Sequence, residues 1–173
     1  MAVSAEPASR ILEAATMSES FTVEAWVRPA DLLQRGPARI VSTSESTDLA
    51  DVNFHLGQER SCLSFRIKTG PGDVAAWLIT EPVFVTAQPA WHIAVTYDRG
   101  AIDVFVDGAL SDRFDVNHVP LDDAWDPMLP LIIGNEATLD RAFRGDVHLV
   151  AIYGRALDES EIASNYEAGA NAG

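Results

Sequence analysis

The sequence predicts an all-β fold: an antiparallel β-sandwich with one short C-terminal helix. Residues 91–97 (WHIAVTY) and 102–107 (IDVFVD) alternate apolar and polar side chains with the two-residue period of a half-buried strand, and a DRG turn separates them. Residues 147–153 (VHLVAIY) continue the same kind of alternation. The strand–helix–strand alternation of a parallel sheet is missing, so we expect the strands to pair antiparallel.

Six further segments fit strands, and turn-forming glycine and proline residues separate them. They are residues 21–27, 38–42, 52–56, 62–68, 75–79 and 131–134.

Only the end of the chain is expected to be helical. Asp158 is placed to cap a helix and Glu161 follows three residues later, which is the spacing of a capping box. Ile162 and Tyr166 would share one face of that helix. Residues 1–19 are expected to be partly irregular.

Size and charge limit the classes of function. The chain has 173 residues with 47% hydrophobic content, enough for one domain spanning residues 1–173 with a real core. Its 26 acidic and 12 basic residues give a formal net charge of −14, which repels nucleic acid and anionic lipid. Cys62 is the only cysteine, so no intrachain disulfide is expected. No apolar stretch is long enough for membrane insertion.

The N-terminus lacks the charged and apolar regions of a signal peptide. The chain is therefore either cytoplasmic or a domain cut from a longer exported protein, which would place it in an extracellular or periplasmic setting. The sequence leaves the compartment and the oligomeric state open.

Four motifs resemble the laminin-G-like group of the concanavalin A-like lectin and glucanase superfamily. They are 21–29 (FTVEAWVRP), 91–98 (WHIAVTYD), 102–108 (IDVFVDG) and 143–153 (FRGDVHLVAIY), and they span nearly the whole chain in the family's order. The segments 36–42 and 53–59 are similar to a bacterial subgroup found as modules of multidomain proteins. The resemblance implies a jelly roll of one concave and one convex sheet, which binds glycans or proteins in many members and is an enzyme in a minority.

The resemblance also raises the question of a structural calcium ion. Relatives commonly carry a calcium-binding aspartate two residues after the position of Asp146, and His148 stands there in this chain. Calcium takes oxygen ligands, so a neutral imidazole is a poor replacement. Asp146 would serve only with a shifted strand register, which would turn every side chain to the other face. The rim loops offer other acids without diagnostic spacing: Asp48, Asp51, Asp73 and Asp140.

The middle strands predict a candidate binding groove. Alternation directs the large apolar residues of 52–56 and 62–68 inward and leaves polar ones outward. If the outward faces line the concave sheet, one groove contains Asn53, His55, Arg66, Lys68 and Trp77. An aromatic ring stacks on sugars while amides and cations bind polar groups, and the basic pair would suit an anionic ligand.

Two structural interpretations compete with the groove. Lysine and arginine are common on exposed strands because they discourage edge pairing, and Trp77 would be buried in the other register. Trp125 is a second aromatic candidate, which we interpret as a loop residue covering one end of the sandwich.

We predict a non-catalytic recognition module that binds carbohydrate on the concave sheet face. A structural or protein-interaction module of a larger protein is the alternative, and a glycosidase or polysaccharide lyase the third. The strand acids lack the paired spacing of a retaining glucanase, and Asp107 belongs to a hairpin turn. His55 with Arg66 and Lys68 leaves a lyase open, although the tyrosines a lyase would need are committed elsewhere. We therefore predict no catalytic residue among the strand acids Glu24, Asp103, Asp107 and Asp146.

Overall fold

The structure, a computed structural model, describes residues 1–4, 7–46, 51–72, 75–85 and 88–170. Its helices and strands in chain order are β1 (Ala2–Val3), α1 (Ser9–Ser18), β2 (Ser20–Pro29), β3 (Ala38–Ser44), β4 (Val52–Glu59), β5 (Cys62–Lys68), β6 (Ala75–Pro82), β7 (Trp91–Asp98), β8 (Ala101–Val106), β9 (Ala109–Asp115), α2 (Leu121–Ala124), β10 (Leu131–Ile133), β11 (Gly145–Tyr153) and α3 (Glu159–Ala168).

The strands form two antiparallel sheets. The six-stranded sheet has the order β1-β10-β3-β4-β5-β6, and the five-stranded sheet has the order β11-β2-β7-β8-β9. One continuous core of apolar side chains lies between them, with Phe21, Phe54 and Trp125 packed ring against ring. The predicted antiparallel sandwich with a C-terminal helix is confirmed.

The side-chain alternation of the middle strands places their apolar residues in this core. Phe54 and Leu56 of β4, and Phe65 and Ile67 of β5, are buried there, and Leu78 of β6 packs against them. The polar residues between them therefore point to the other side. We call that side the outer face of the six-stranded sheet.

Tight turns hold the β7–β8–β9 meander in register. Arg99 and Gly100 join β7 to β8 with φ values of 45° and 94°, and Asp107 and Gly108 join β8 to β9 with φ values of 49° and 79°. The Asp107 carboxylate also accepts a hydrogen bond from the His92 backbone N–H at 3.1 Å. Asp107 is thus a turn aspartate, as predicted.

The helices both confirm and correct the prediction. The Asp158 side chain accepts from the Glu161 backbone N–H and the Glu161 side chain accepts from the Asp158 N–H, so the predicted capping box is present at α3. The expectation that only this end is helical is wrong, because α1 and α2 precede it. Helix α1 has no side-chain cap, and its buried residues Leu12 and Ala15 belong to the core, so tertiary packing stabilises it. None of the described helices is long and apolar enough to span a membrane.

The segment before β10 closes one end of the sandwich. Trp125 is buried in the core, and its indole N–H donates to the Lys68 carbonyl at 3.2 Å. Asn53 holds the same segment with two hydrogen bonds of 2.8 Å to the Asp126 backbone, one donated and one accepted. Trp125 therefore covers the end of the sandwich, as its structural interpretation predicts.

Candidate ligand-binding face

The six-stranded sheet carries all five residues of the predicted groove on its outer face. Across neighbouring strands, Ser42 of β3 lies opposite His55 of β4, His55 opposite Arg66 of β5, and Arg66 opposite Trp77 of β6. Antiparallel pairing without a register shift between β4 and β5 aligns these side chains in one row. The alternation rule thus assigns the face correctly.

Burial divides the five residues into two groups. Asn53 and His55 are completely buried, and Lys68 is only 7% exposed. Arg66 is half-buried, whereas 54% of Trp77 is exposed. Asn53 is committed to the Asp126 backbone, so it holds the fold. Arg66 and Trp77 are the members of the predicted groove that a ligand on this face would reach, and the binding role of the whole set stays a prediction.

Trp77 is exposed but held in place. Its indole N–H donates to the Ser64 hydroxyl at 2.8 Å. The Arg66 guanidinium carbon lies 5.0 Å from the centre of the Trp77 ring, within the range of a cation–π contact. Ile79, two residues further along β6, is 47% exposed on the same face. The face therefore presents an oriented aromatic ring next to an arginine.

A buried charged network lies on the other side of His55. Arg39 of β3 is 2% exposed, and its Nε donates to Glu136 Oε2 at 2.9 Å. Its Nη1 donates to His55 Nε2 at 3.0 Å and to the Pro37 carbonyl at 3.1 Å. Glu136 follows β10 and is completely buried, so the ion pair is shielded from solvent. A buried, hydrogen-bonded pair of this kind is costly to break.

The network fixes the protonation state of His55. Burial, followed by the positive charges of Arg39 and Arg66, holds the pKa of His55 well below its ordinary value. Arginine has no acceptor, so His55 Nε2 must accept from Arg39 and the ring proton must lie on Nδ1. Burial likewise lowers the pKa of Arg39, and the adjacent Glu136 opposes that effect. A guanidinium stays charged even so.

Several polar atoms of this region are buried without a hydrogen-bond partner. Six such side-chain atoms occur among the described residues, and four of them are His55 Nδ1, Arg66 Nε, Glu136 Oε1 and Arg141 Nε. The charges of Arg66 and Arg141 both act on Arg39, so the two arginines lie near the Arg39–Glu136 ion pair. Buried polar atoms are normally hydrogen-bonded, so a cluster of unsatisfied ones needs a physical explanation.

Sequence reasoning missed Arg39, Glu136 and Arg141. The one signal for Arg39 is a charge inside the apolar run 38–42, at a position that alternation would turn away from the core. Glu136 and Arg141 belong to the segment between β10 and β11, and the Arg39–Glu136 contact joins residues 97 positions apart. No local pattern predicts such a contact.

A family comparison accounts for this architecture. A family model described as the concanavalin A-like lectin/glucanases superfamily, of the laminin G type, matches residues 6–163. The chain belongs to this laminin G family. A search of curated proteins found no match.

Solved structures resemble the laminin G chain in fold. The carbohydrate-binding module CBM40 of the Ruminococcus gnavus IT-sialidase, bound to α2,3-sialyllactose, has a TM-score of 0.70 at 16% identity, covering 95% of this chain and 92% of that one. The receptor-binding domain of botulinum neurotoxin C/D mosaic serotype has a TM-score of 0.66 at 14% identity, covering 94% of this chain and 39% of that one. At these identities the likeness is one of fold.

The residues present do not fit the calcium site that the resemblance implies. Asp146 forms an exposed ion pair with Arg28, and His148 is exposed at a register shift of β11. Of the rim acids, Asp51 accepts from Ser46 at 2.7 Å and Asp140 accepts from Thr138 at 2.5 Å. Asp48 and Asp73 lie outside the described residues. Within the described ranges, no group of three or more His, Cys, Asp or Glu side chains is arranged to hold a metal ion.

The strand acids have individual partners. Glu24 is buried beneath α3 and accepts from Asn165 at 2.7 Å, and Asp103 accepts from Arg113 at 2.6 Å. Of the tyrosines a lyase would need, Tyr97 is buried in the core, where burial and the charge of Glu19 raise its pKa to about 12. A phenol with that pKa remains protonated at neutral pH. These contacts give the strand acids and Tyr97 structural roles.

Proposed function

We propose that this laminin G chain is a non-catalytic recognition module that binds carbohydrate on the outer face of its six-stranded sheet. The observation that carries the proposal is the exposed Trp77 ring, held by Ser64 and flanked by Arg66. A sugar ring presents apolar C–H groups that pack on an aromatic ring, and its hydroxyls need nearby polar partners. Trp77 and Arg66 offer both.

The rigidity of the platform favours binding. A side chain that is already oriented loses less conformational freedom when a ligand packs on it. The indole hydrogen bond and the guanidinium contact orient Trp77 in the absence of ligand. The fold likeness to a module bound to sialyllactose supports carbohydrate as the ligand class.

Replacing Trp77 tests this proposal directly. We expect Trp77→Ala to weaken binding by about 2 kcal/mol, roughly 30-fold, because aromatic anchors carry much of the energy of a binding site. The measurement is a glycan-array screen followed by calorimetric titration of the strongest glycan. Leu33→Ala, at another exposed apolar residue (78% exposed), is the matched control and should bind like the unchanged protein. Equal affinities of the Trp77→Ala and unchanged proteins would count against this face.

A protein-interaction module is the second candidate, and one observation favours it. Trp77 and Ile79 are both exposed on β6, which is the edge strand of its sheet. An exposed apolar pair on an unpaired strand edge also suits a protein partner. A screen in which no glycan binds would favour this second role.

A further inference from the structure

Arg66 differs from the other arginines in having neither full exposure nor a carboxylate partner. Among the described residues, Arg10, Arg35 and Arg60 also lack a carboxylate within ion-pair distance, and all three are exposed. The remaining arginines form ion pairs. Arg66 is half-buried, and its guanidinium carbon lies over the Trp77 ring. Its own Nε is buried without a hydrogen-bond partner.

The charges around Arg66 do not balance. Arg39 and Glu136 neutralise each other at 2.9 Å, and Arg141 lies 3.5 Å from the exposed carboxylate of Asp140. Burial lowers the pKa of Arg66, and the charge of Glu136 opposes that effect, but Glu136 is already engaged by Arg39. His55 is neutral. Arg66 therefore keeps a positive charge that no carboxylate of the described residues meets at ion-pair distance, in a chain whose formal net charge is −14.

Three of the four unsatisfied atoms of this cluster are hydrogen-bond donors. Arg66 Nε and Arg141 Nε are N–H donors, and the tautomer imposed by Arg39 makes His55 Nδ1 a donor as well. Glu136 Oε1 is the single unsatisfied acceptor of the cluster. The reachable group of this cluster is the half-buried Arg66 guanidinium, and a guanidinium without a carboxylate partner favours a ligand group that accepts hydrogen bonds and carries negative charge.

We infer that the ligand of this face is an acidic sugar whose anionic group binds Arg66 while its ring packs on Trp77. The inference rests on the proposed carbohydrate function and narrows it to sugars that carry a carboxylate or a sulfate ester. A carboxylate matches the planar guanidinium with two parallel hydrogen bonds, whereas a sulfate oxygen uses the same donors in other geometries. Arg39 and Glu136 are positioning residues, because they hold His55 beside Arg66 and do not reach the ligand.

The test compares three groups of glycans on the intact protein. Polygalacturonate, hyaluronan and sialyllactose carry carboxylates, dextran sulfate carries sulfate esters, and laminarin and mannan are neutral. We expect binding by at least one acidic group and a loss of about 10- to 100-fold in the Arg66→Gln variant, the range for a charge-assisted hydrogen bond. Arg66→Lys should restore part of the affinity, since it returns the charge without the planar fork. Arg10→Gln, at an exposed arginine on α1, is the control that should change nothing.

The outcomes separate the two proposals. Binding of neutral glycans that Arg66→Gln leaves unchanged would overturn the acidic-sugar inference and keep the carbohydrate function. Binding of no glycan in any group would overturn both. Binding of an acidic group with the Arg66 dependence supports both, and which group binds identifies the carboxylate or the sulfate as the source.

Discussion

The outer faces of the two sheets present the same kinds of residue in different states. The six-stranded face has Trp77 with buried His55 and Glu136 nearby, and the five-stranded face has Trp26 with buried His92 and Glu24. Trp26 is covered by Tyr166 of α3, with ring centres 5.7 Å apart and ring planes at 10°. Trp77 is 54% exposed.

The partners of the two glutamates differ in the same way. On the five-stranded face, the neutral amide of Asn165 donates to Glu24. His92 Nε2 lies 3.1 Å from Glu24 Oε1, a close polar approach without a hydrogen bond. On the six-stranded face, the partner of Glu136 is the cation Arg39. The chain thus covers one face with its own helix and leaves the other open beside an excess positive charge.

The largest loss of stability is expected from removing Arg39, the buried cation of the open face. Arg39→Met leaves Glu136 buried without its partner, which should lower the free energy of unfolding by about 3–5 kcal/mol. Urea denaturation measures this loss. Arg28→Met is the matched control, because it removes the exposed ion pair to Asp146 and should cost under about 1 kcal/mol.

The double variant Arg39→Met/Glu136→Gln sharpens this experiment. It removes both charges, so most of the lost stability should return. If Arg39→Met costs no more than Arg28→Met, the buried pair does not distinguish the two faces.

On the covered five-stranded face we expect a smaller loss of stability and no loss of glycan binding. Tyr166→Ala removes the ring stacked on Trp26 and should destabilise the protein by about 2 kcal/mol while glycan affinity stays unchanged. Gly108→Ala should act in the same direction, because the added Cβ would lie 2.8 Å from the Tyr166 ring. Trp77→Ala should instead weaken glycan binding, with a smaller stability loss of about 1 kcal/mol for its hydrogen bond and cation–π contact. Thermal unfolding and glycan titration of Tyr166→Ala and Trp77→Ala give the comparison, which fails if Tyr166→Ala abolishes binding.

Sequence periodicity predicts the middle of the open face but not its surroundings. A two-residue alternation is enough to assign Arg66 and Trp77 to one side, because neighbouring side chains of a strand point to opposite faces. It does not show that His55 is buried, since that depends on Arg39 from β3 and on Glu136 from a loop. Contacts between distant segments follow from the folded topology, which no local pattern encodes.

Strand β9 and helix α1 are not predicted from the sequence, and their weak sequence signals have a physical explanation. The polar edge strand β9 is largely exposed, so it has no apolar alternation to reveal it. Helix α1 lacks a capping side chain and buries only Leu12 and Ala15, so its sequence signal is weak. The capping box of α3 is a local feature of Asp158 and Glu161, and it was predictable for that reason.

The smallest effect concerns the proton of His55. Native His55 is neutral because burial lowers its pKa, whereas an unfolded histidine titrates near about 6.5. Below about pH 6.5 the unfolded chain therefore binds the extra proton, and stability should fall by up to about 1.4 kcal/mol per pH unit until the native pKa is reached. Urea denaturation between pH 7.5 and 5.5 should show this slope in the unchanged protein. His55→Gln, which keeps an acceptor for Arg39, should lose that part of the slope, and His148→Gln, at an exposed histidine, should retain it. Equal slopes in all three proteins would mean that the charged network of the open face does not hold His55 neutral.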